Sequence, residues 1–332
     1  MPRVVVIGAG IAGLAAAHAL RGRDITVIEG SNDVGGKLRT SSIAGIDVDE
    51  GAESFLARVP EGLGLARAVG LGDQLLHPAT TNAAVWVRGE LRPIPARTMF
   101  GIPSSVRSLR GVLTGAETAR AGLDLLLPGT EADDDVSVGA LVTRRLGRAV
   151  VDRLVDPLLG GVYAGRADEL SVRATMPQLG PTSGSLIRAV RQTVPAPSTT
   201  TPPVFATVRA GLGSFARTVA DVSGATIITG RLVRRVERTP NGFRVVHGPT
   251  TDEQVIDADA VIVAVPATPA ARLLVDVAPQ AAAELAEIEA ASMAVVTTAW
   301  RRGELPTGAS SGYLVPAVSN RPVKAVTFAS SK

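Results

Sequence analysis

Residues 4–20 read VVVIGAGIAGLAAAHAL, a stretch with no charged side chain between Arg3 and Arg21. Three structures compete for it: an export signal, a membrane helix, or a strand, turn and helix that cradle a nucleotide. A basic residue, an apolar run and small residues before Arg21 fit a signal. Gly8, Gly10 and Gly13 count against that, because each costs about 1 kcal/mol relative to alanine in a helix and they fall where a signal core needs strong helix formers. The stretch is also short for a bilayer, which takes about 20 apolar residues to cross. The pattern instead predicts a buried strand from Arg3 to Ile7, a glycine turn, and a helix from Ile11 to about Leu20 whose alanines permit close packing on a sheet.

Within that turn, Gly8-Ala9-Gly10-Ile11-Ala12-Gly13 has the spacing of a dinucleotide-binding loop. The first glycine permits a tight turn, the second lets a pyrophosphate approach the backbone, and the third lets helix and strand touch. Free N–H groups and the positive end of the helix dipole then face the phosphates. Glu29, sixteen residues after Gly13, ends the next strand-like run DITVIE. A carboxylate there can accept ribose hydroxyls and disfavours a 2′-phosphate, which argues against NADP.

FAD and NAD both satisfy this loop, so the choice between them depends on the residues beyond Glu29. Gly35-Gly36-Lys37 comes soon after Glu29-Gly30, and Asp49-Glu50-Gly51-Ala52-Glu53-Ser54-Phe55 comes next. A second glycine-rich loop with a cation adds backbone donors near a pyrophosphate and flavin, which an NAD site does not require. FAD is therefore the expected cofactor.

At 45% hydrophobic and 20% charged residues, the 332-residue chain can bury large cores and predicts more than one domain. A formal charge of +3 implies no nucleic-acid partner. Only Lys37, Lys324 and Lys332 are lysines, an arginine bias that reads as codon usage. No cysteine is present, so these residues form no disulfide, thiolate nucleophile or thiolate metal site. His18, His77 and His247 lack metal-ligand spacing.

Along the chain, AAVWVRGELRPIP reads as two short strands about Gly89, and residues from Ser104 to about Thr193 read as helical. VPAPSTTTPPV, residues 194–204, reads as a linker. FATVRAGLGSFARTVADV then reads as strand, turn and helix. ATIITGRLVRRVERTPNGFRVVHG reads as strands with a tight Asn241-Gly242 turn, and DADAVIVAVP as a buried strand stopped by Pro266. Nucleotide-fold sequence thus resumes after the helices, which predicts a mixed α/β chain: a discontinuous, Rossmann-like FAD-binding domain (residues 1–80 and 204–266), a partial substrate-binding sheet domain (81–103 and 267–332), and a helical insertion with linker (104–203).

The paired glycine motifs resemble those of amine-oxidase-like flavoproteins. Asp156-Pro157-Leu158-Leu159-Gly160-Gly161-Val162-Tyr163-Ala164-Gly165, continuing Arg166-Ala167-Asp168-Glu169-Leu170-Ser171, resembles the signature of the protoporphyrinogen/coproporphyrinogen oxidase family. Gly89 to Pro95, Gly101-Ile102-Pro103 and Ala210-Gly211-Leu212-Gly213-Ser214 are similar to further family segments, and the Gram-positive, coproporphyrin-forming branch is nearest. The resemblance implies FAD contacts from Gly8, Ala9, Gly10, Ile11, Ala12 and Gly13, from Glu29 and Gly30, from Gly35, Gly36 and Lys37, and from Gly51, Ala52, Glu53 and Ser54, with Val233 offering its backbone to the adenine. On residue pattern alone, VRRV is a strand with one apolar face.

The implied reaction is the six-electron oxidation of a porphyrinogen, with O2 reoxidising the flavin and releasing H2O2. It needs no side-chain base, so no catalytic residue is named. The resemblance further implies a cytoplasmic protein with peripheral membrane contact and transient contact with the next haem-pathway enzyme. For GLDLLLPG, burial in the core is favoured over lipid contact. Substrate carboxylates are expected to meet arginines that the sequence does not single out. The chain stops at Lys332, before the strand and helix that complete the flavin pocket in that family, which predicts weak FAD affinity and little activity. Three alternatives stay open: a protoporphyrinogen IX oxidase, a carotenoid desaturase or amine oxidase on the same fold, and a binding module without catalysis.

Overall fold

Strand β1 (Arg3–Ile7) is apolar at four consecutive positions because it is covered on both faces: Val4 to Ile7 are all buried. It pairs in parallel with β2 (Asp24–Ile28) on one side and with Ala260–Val263 on the other, and Thr226–Ile228 extends the sheet beyond β2. Helix α1 (Ile11–Ala19) makes the crossover between β1 and β2, as the opening stretch predicts.

The computed structural model describes residues 1–80, 82–128, 135–179, 184–194, 203–301, 303–304 and 310–331. It divides into two compact units, Met1–His77 with Pro202–Arg301, and Pro78–Thr201 with Arg302–Lys332. Residues 267–301, expected with the substrate-binding sheet, lie in the first unit. The expected helical insertion and the strands of 81–103 share the second. Residues 195–202 of the expected linker lie outside the described residues.

In the first unit, one sheet face packs on α1 and the helix Leu212–Val222 through Leu14, Ala17, Phe215 and Val219. The other face packs on a meander of Val233–Thr239, Gly242–His247 and Gln254–Ala258 through Val5, Ile7, Val236 and Val245. Two expectations need correction. Ala260–Val263 is half-buried rather than buried, because it pairs only with β1 and forms the outer strand of its sheet. The hairpin turn is Pro240-Asn241, one residue earlier than expected; Gly242 starts the return strand, where a Cβ would come within 2.3 Å of the Ala258 carbonyl oxygen.

In the second unit, Ala84–Val87 and Glu90–Pro93 form a hairpin about Arg88 and Gly89, both at positive φ as a two-residue turn of matching twist requires. Gly312–Leu314 and Ala325–Thr327 complete its sheet. The helices Gly115–Gly122, Val138–Leu146, Asp156–Tyr163 and Leu186–Thr193 gather around Ile102, Leu109, Leu146, Leu154 and Ile187. Fully buried Asp124 pairs with Arg145 Nε at 2.6 Å and accepts bonds from Ser185 Oγ and the N–H groups of Leu186 and Ile187, so the buried charge is neutralised and hydrogen-bonded. Of the leucines in GLDLLLPG, only Leu125 packs on the core, partly buried, while Leu123, Leu126 and Leu127 are exposed, because the segment makes one short turn after Gly122 that buries Asp124 and presents successive leucines to different sides. Among the described residues, no helix is long and apolar enough to cross a membrane.

Glu117 closes a capping box with Thr114 and pairs with Arg153. The Arg153 hydrogen bond outweighs burial and, with the Thr114 bonds, holds the Glu117 carboxyl down to about 2 from 4.5. A depressed carboxyl contributes stability that is complete above its unfolded-state pKa and is lost as pH falls toward the folded one. Glu117→Gln should therefore lower the urea midpoint at pH 7, and the gap to the parent should close between pH 4.5 and pH 2. A gap independent of pH would assign the loss to packing.

Candidate functional site

The glycine loop lies at the carboxyl ends of β1 and β2, where parallel sheets place ligand sites. Gly8 has φ +101°, and its N–H donates to the Ile28 carbonyl at 2.8 Å. A Cβ on Gly13 would stand 2.0 Å from the Gly8 carbonyl oxygen, and one on Gly8 would stand 2.7 Å from that of Ala264. These two glycines are consumed in bringing α1 against the strands. At Gly10 a Cβ would meet nothing within 4 Å. Open space thus stands over the N-cap of a helix with no capping side chain and no acidic residue in its first turn. Ala12 is exposed there, and Ile11 packs partly on the core.

Glu29 is engaged within the protein itself. Its Oε2 accepts the Ala9 N–H at 2.8 Å, and Oε1 accepts the Ser31 N–H at 2.8 Å and the Ser31 hydroxyl at 2.9 Å. A carboxylate offers about four acceptor positions, so three are engaged and Oε2 retains one. The Ala9 amide is correspondingly spent within the protein. The backbone of Glu29 continues the sheet, its N–H donating to Ile228 and its carbonyl accepting from Arg231. That places Leu232 over Gly30, with Leu232 Cδ1 3.2 Å from where a Cβ would sit, and leads directly into Val233. Val233 is buried opposite His247 at the start of its strand, beside an irregularity in the pairing.

The second loop lies directly on the first. The Gly35 N–H donates to the Ala9 carbonyl at 2.8 Å, and a Cβ on Gly36, at φ +60°, would be 3.2 Å from Gly10 Cα. Lys37 is exposed and has no ion-pair partner among the described residues. Gly51 packs so that a Cβ would come 2.5 Å from the Lys37 carbonyl oxygen. Ala52 is exposed, and Glu53 and Ser54 are half-buried just beyond it. Gly8 to Gly13, Glu29-Gly30, Gly35 to Lys37, Gly51 to Ser54 and Val233 therefore lie in one unit, joined by direct contacts between their loops.

Asp49, quoted at the head of the third motif without a role, ties this region together. Its carboxylate accepts the Leu212 N–H at 3.0 and 3.1 Å and the Thr40 hydroxyl at 2.7 Å, while Thr40 Oγ1 accepts the Gly213 N–H. The hairpin of β3 (Thr40–Ile43) and β4 (Ile46–Asp49) is thereby fixed to the glycine turn at Gly211. The only sequence signal was a helix start at Leu212 without a local cap.

In the second unit, the motif from Asp156 to Ser171 divides its labour. Asp156 Oδ1 accepts the Ala167 N–H at 2.8 Å, Asp168 pairs with Arg148, and Ser171 caps the turn Val172–Thr175. Gly161, Val162, Tyr163 and Ala164 face outward, with Val162 55% and Tyr163 42% exposed, and Ala164 ends the helix in the left-handed region. An apolar, partly aromatic face at a motif with this much internal bonding can hold a flat apolar ligand.

Fold and site together define a dinucleotide-binding α/β protein of the flavoprotein kind. The chain belongs to the flavin containing amine oxidoreductase family, whose model matches residues 11–321. It is 37% identical over 345 residues to a coproporphyrinogen III oxidase of Mycobacterium tuberculosis, covering 98% of this chain and 72% of that protein. It is 30% identical over 351 residues to the Bacillus subtilis protein of the same name, covering 99% and 73%. The crystal structure of a putative protoporphyrinogen oxidase from Exiguobacterium sp. 255-15 superposes with a TM-score of 0.82 at 27% identity, over all of this chain and 73% of that one.

The glycine geometry separates two roles that the motif alone leaves merged. Gly13→Ala should destabilise the first unit by about 1–3 kcal/mol or more through overpacking against backbone, whereas Gly10→Ala should leave the melting temperature unchanged. Thermal melts of both variants check this, and equal losses would contradict it.

Proposed function

We propose that the chain oxidises coproporphyrinogen III to coproporphyrin III with bound FAD, reducing O2 to H2O2 in haem synthesis. The observation that supports this most strongly is the likeness to coproporphyrinogen III oxidases along 98% of the chain. The donor set fits FAD. The open face of Gly10 and the uncapped start of α1, with Ala12, receive the pyrophosphate. The remaining acceptor position on Glu29 Oε2 takes a ribose hydroxyl. Gly30 and the Val233 backbone line the adenine side. Gly35, Gly36 and Lys37 bring a second set of donors and a cation, and Gly51, Ala52, Glu53 and Ser54 extend toward the flavin. In this reading Gly8, Ala9 and Gly13 shape the loop.

When bound, the flavin supplies the hydride acceptor and the route of electrons to O2. The substrate loses six hydrogens, and three O2 become three H2O2. The chain's own contribution is to hold the macrocycle in reacting geometry and to exclude wrong orientations. A second reading, protoporphyrinogen IX as substrate, is favoured by the name of the Exiguobacterium protein. Exposed Leu123, Leu126 and Leu127 supply the peripheral membrane contact in this proposal; co-sedimentation with liposomes should fall at least severalfold when all three become serine.

Quenching of flavin fluorescence tests the cofactor site. FAD should bind saturably, and Gly10→Val should weaken binding tenfold or more without changing the melt of the FAD-free protein. Aerobic incubation with each porphyrinogen, followed by porphyrin fluorescence and peroxide release, tests the reaction. Saturable FAD binding with no fluorescence gain on either substrate would leave the site standing and overturn the activity.

A further inference from the structure

The second unit contains an open basin of about 470 Å³ lined by Ala96, Arg97, Ser104, Ser105, Ser108 and Arg191. Two guanidinium groups share it, and neither has a carboxylate partner among the described residues. Among the described residues, no acidic residue lines it. Both arginines are held by backbone carbonyls. Arg97 donates from Nε and Nη2 to Val194 at 3.1 and 2.9 Å and from Nη2 to Arg191 at 2.9 Å, and Arg191 donates from Nε to Ser104 at 3.0 Å. Carbonyl contacts orient a guanidinium without neutralising it, so both keep a full positive charge and the N–H groups not used in these bonds.

The backbone is also committed to this arrangement. Arg97 sits at φ +58°, a left-handed conformation that costs a non-glycine residue free energy and that gathers at ligand sites. The Ser105 side chain accepts from the Arg107 N–H, which leaves its own hydroxyl proton free to donate. Ser108 donates to the Ser105 carbonyl at 2.6 Å and keeps acceptor capacity only. The basin thus offers two carbonyl-anchored cations and the Ser105 hydroxyl donor, with no anion among the described residues.

We propose that this basin binds a phosphate group. Two guanidinium charges balance the −1.5 to −2 charge that a phosphate monoester carries near neutral pH, and the planar forks match phosphate oxygens in pairs. The basin exceeds the volume of one phosphate and leaves room for the group that bears it. The glycine loops of the proposed flavin site belong to the other unit.

Calorimetric titration of the purified chain with inorganic phosphate, against chloride at equal ionic strength, tests the proposal. Saturable binding is expected, weakened about tenfold or more in Arg191→Gln, in line with the loss of a charge-assisted hydrogen-bonding partner. Arg191→Lys keeps the charge but loses the fork and should fall between the two. Because Arg191 also holds the Ser104 carbonyl, thermal melts accompany each variant. The Lys variant, judged at matched stability, separates anion recognition from folding. Phenyl phosphate and phosphatidylcholine vesicles with phosphatidic acid distinguish a soluble phosphomonoester from a lipid headgroup. Arg191-dependent binding in any arm supports the site. No saturable phosphate binding, or binding equal in parent and Arg191→Gln, overturns it.

Discussion

The first unit depends on a contact with no side chain in it: the backbone of Gly13 against the carbonyl of Gly8, where a Cβ would stand 2.0 Å from oxygen. Close packing there lets α1 start immediately at the end of β1. The unpaired N–H groups of its first turn are therefore delivered to the end of a buried strand rather than to open solvent. Gly10 between them is left uncovered, with nothing within 4 Å of where a Cβ would stand.

The other motifs are arranged on this contact by hydrogen bonds that cross long stretches of sequence. Glu29 joins the end of β2 to the glycine loop through Ala9, and Gly35 returns to the same residue from the opposite direction. Asp49 then secures its own hairpin to the helix beginning 163 positions later. Each acid therefore has a structural share in the site. Replacing Glu29 would release the Ala9 amide as well as the acceptor that the proposed function assigns to a ribose hydroxyl, so a loss at that residue does not separate fold from cofactor. They separate at Gly10, where nothing in the protein occupies the space.

Local chemistry made much of this legible. The β1–α1–β2 crossover follows from an apolar run broken by three glycines, and the hairpin about Gly89 follows from a turn residue between alternating strands. The glycine loops meet as their spacing suggests. What the sequence concealed depends on partners far away in the chain. Whether Ala260–Val263 is central or outer is decided by which strands flank it, and a run of apolar residues does not encode that. Asp49 looked like one more acid in a motif because its partner, the amide of Leu212, has no side-chain signature. The leucines after Gly122 looked like core because hydrophobicity fixes the tendency to bury and leaves open whether a short turn offers the room.

The arginine bias gains physical meaning in the second unit, although it first reads as codon usage. Arg120 donates to the carbonyls of Thr143, Arg144 and Arg145 at the end of one helix, where the last carbonyls lack partners within the helix itself. Arg88 does the same for Gly111 and Val112, and Arg145 serves Pro128 while it pairs with Asp124. A lysine ammonium is a compact point donor and does not span carbonyls several ångströms apart as a planar fork does. These arginines act as cross-links between loops, and the cost of their charge depends on what else is near. At Arg145 a buried carboxylate neutralises it. At Arg97 and Arg191 the same carbonyl anchoring occurs with no carboxylate partner among the described residues, and it is this contrast that the proposed phosphate site rests on.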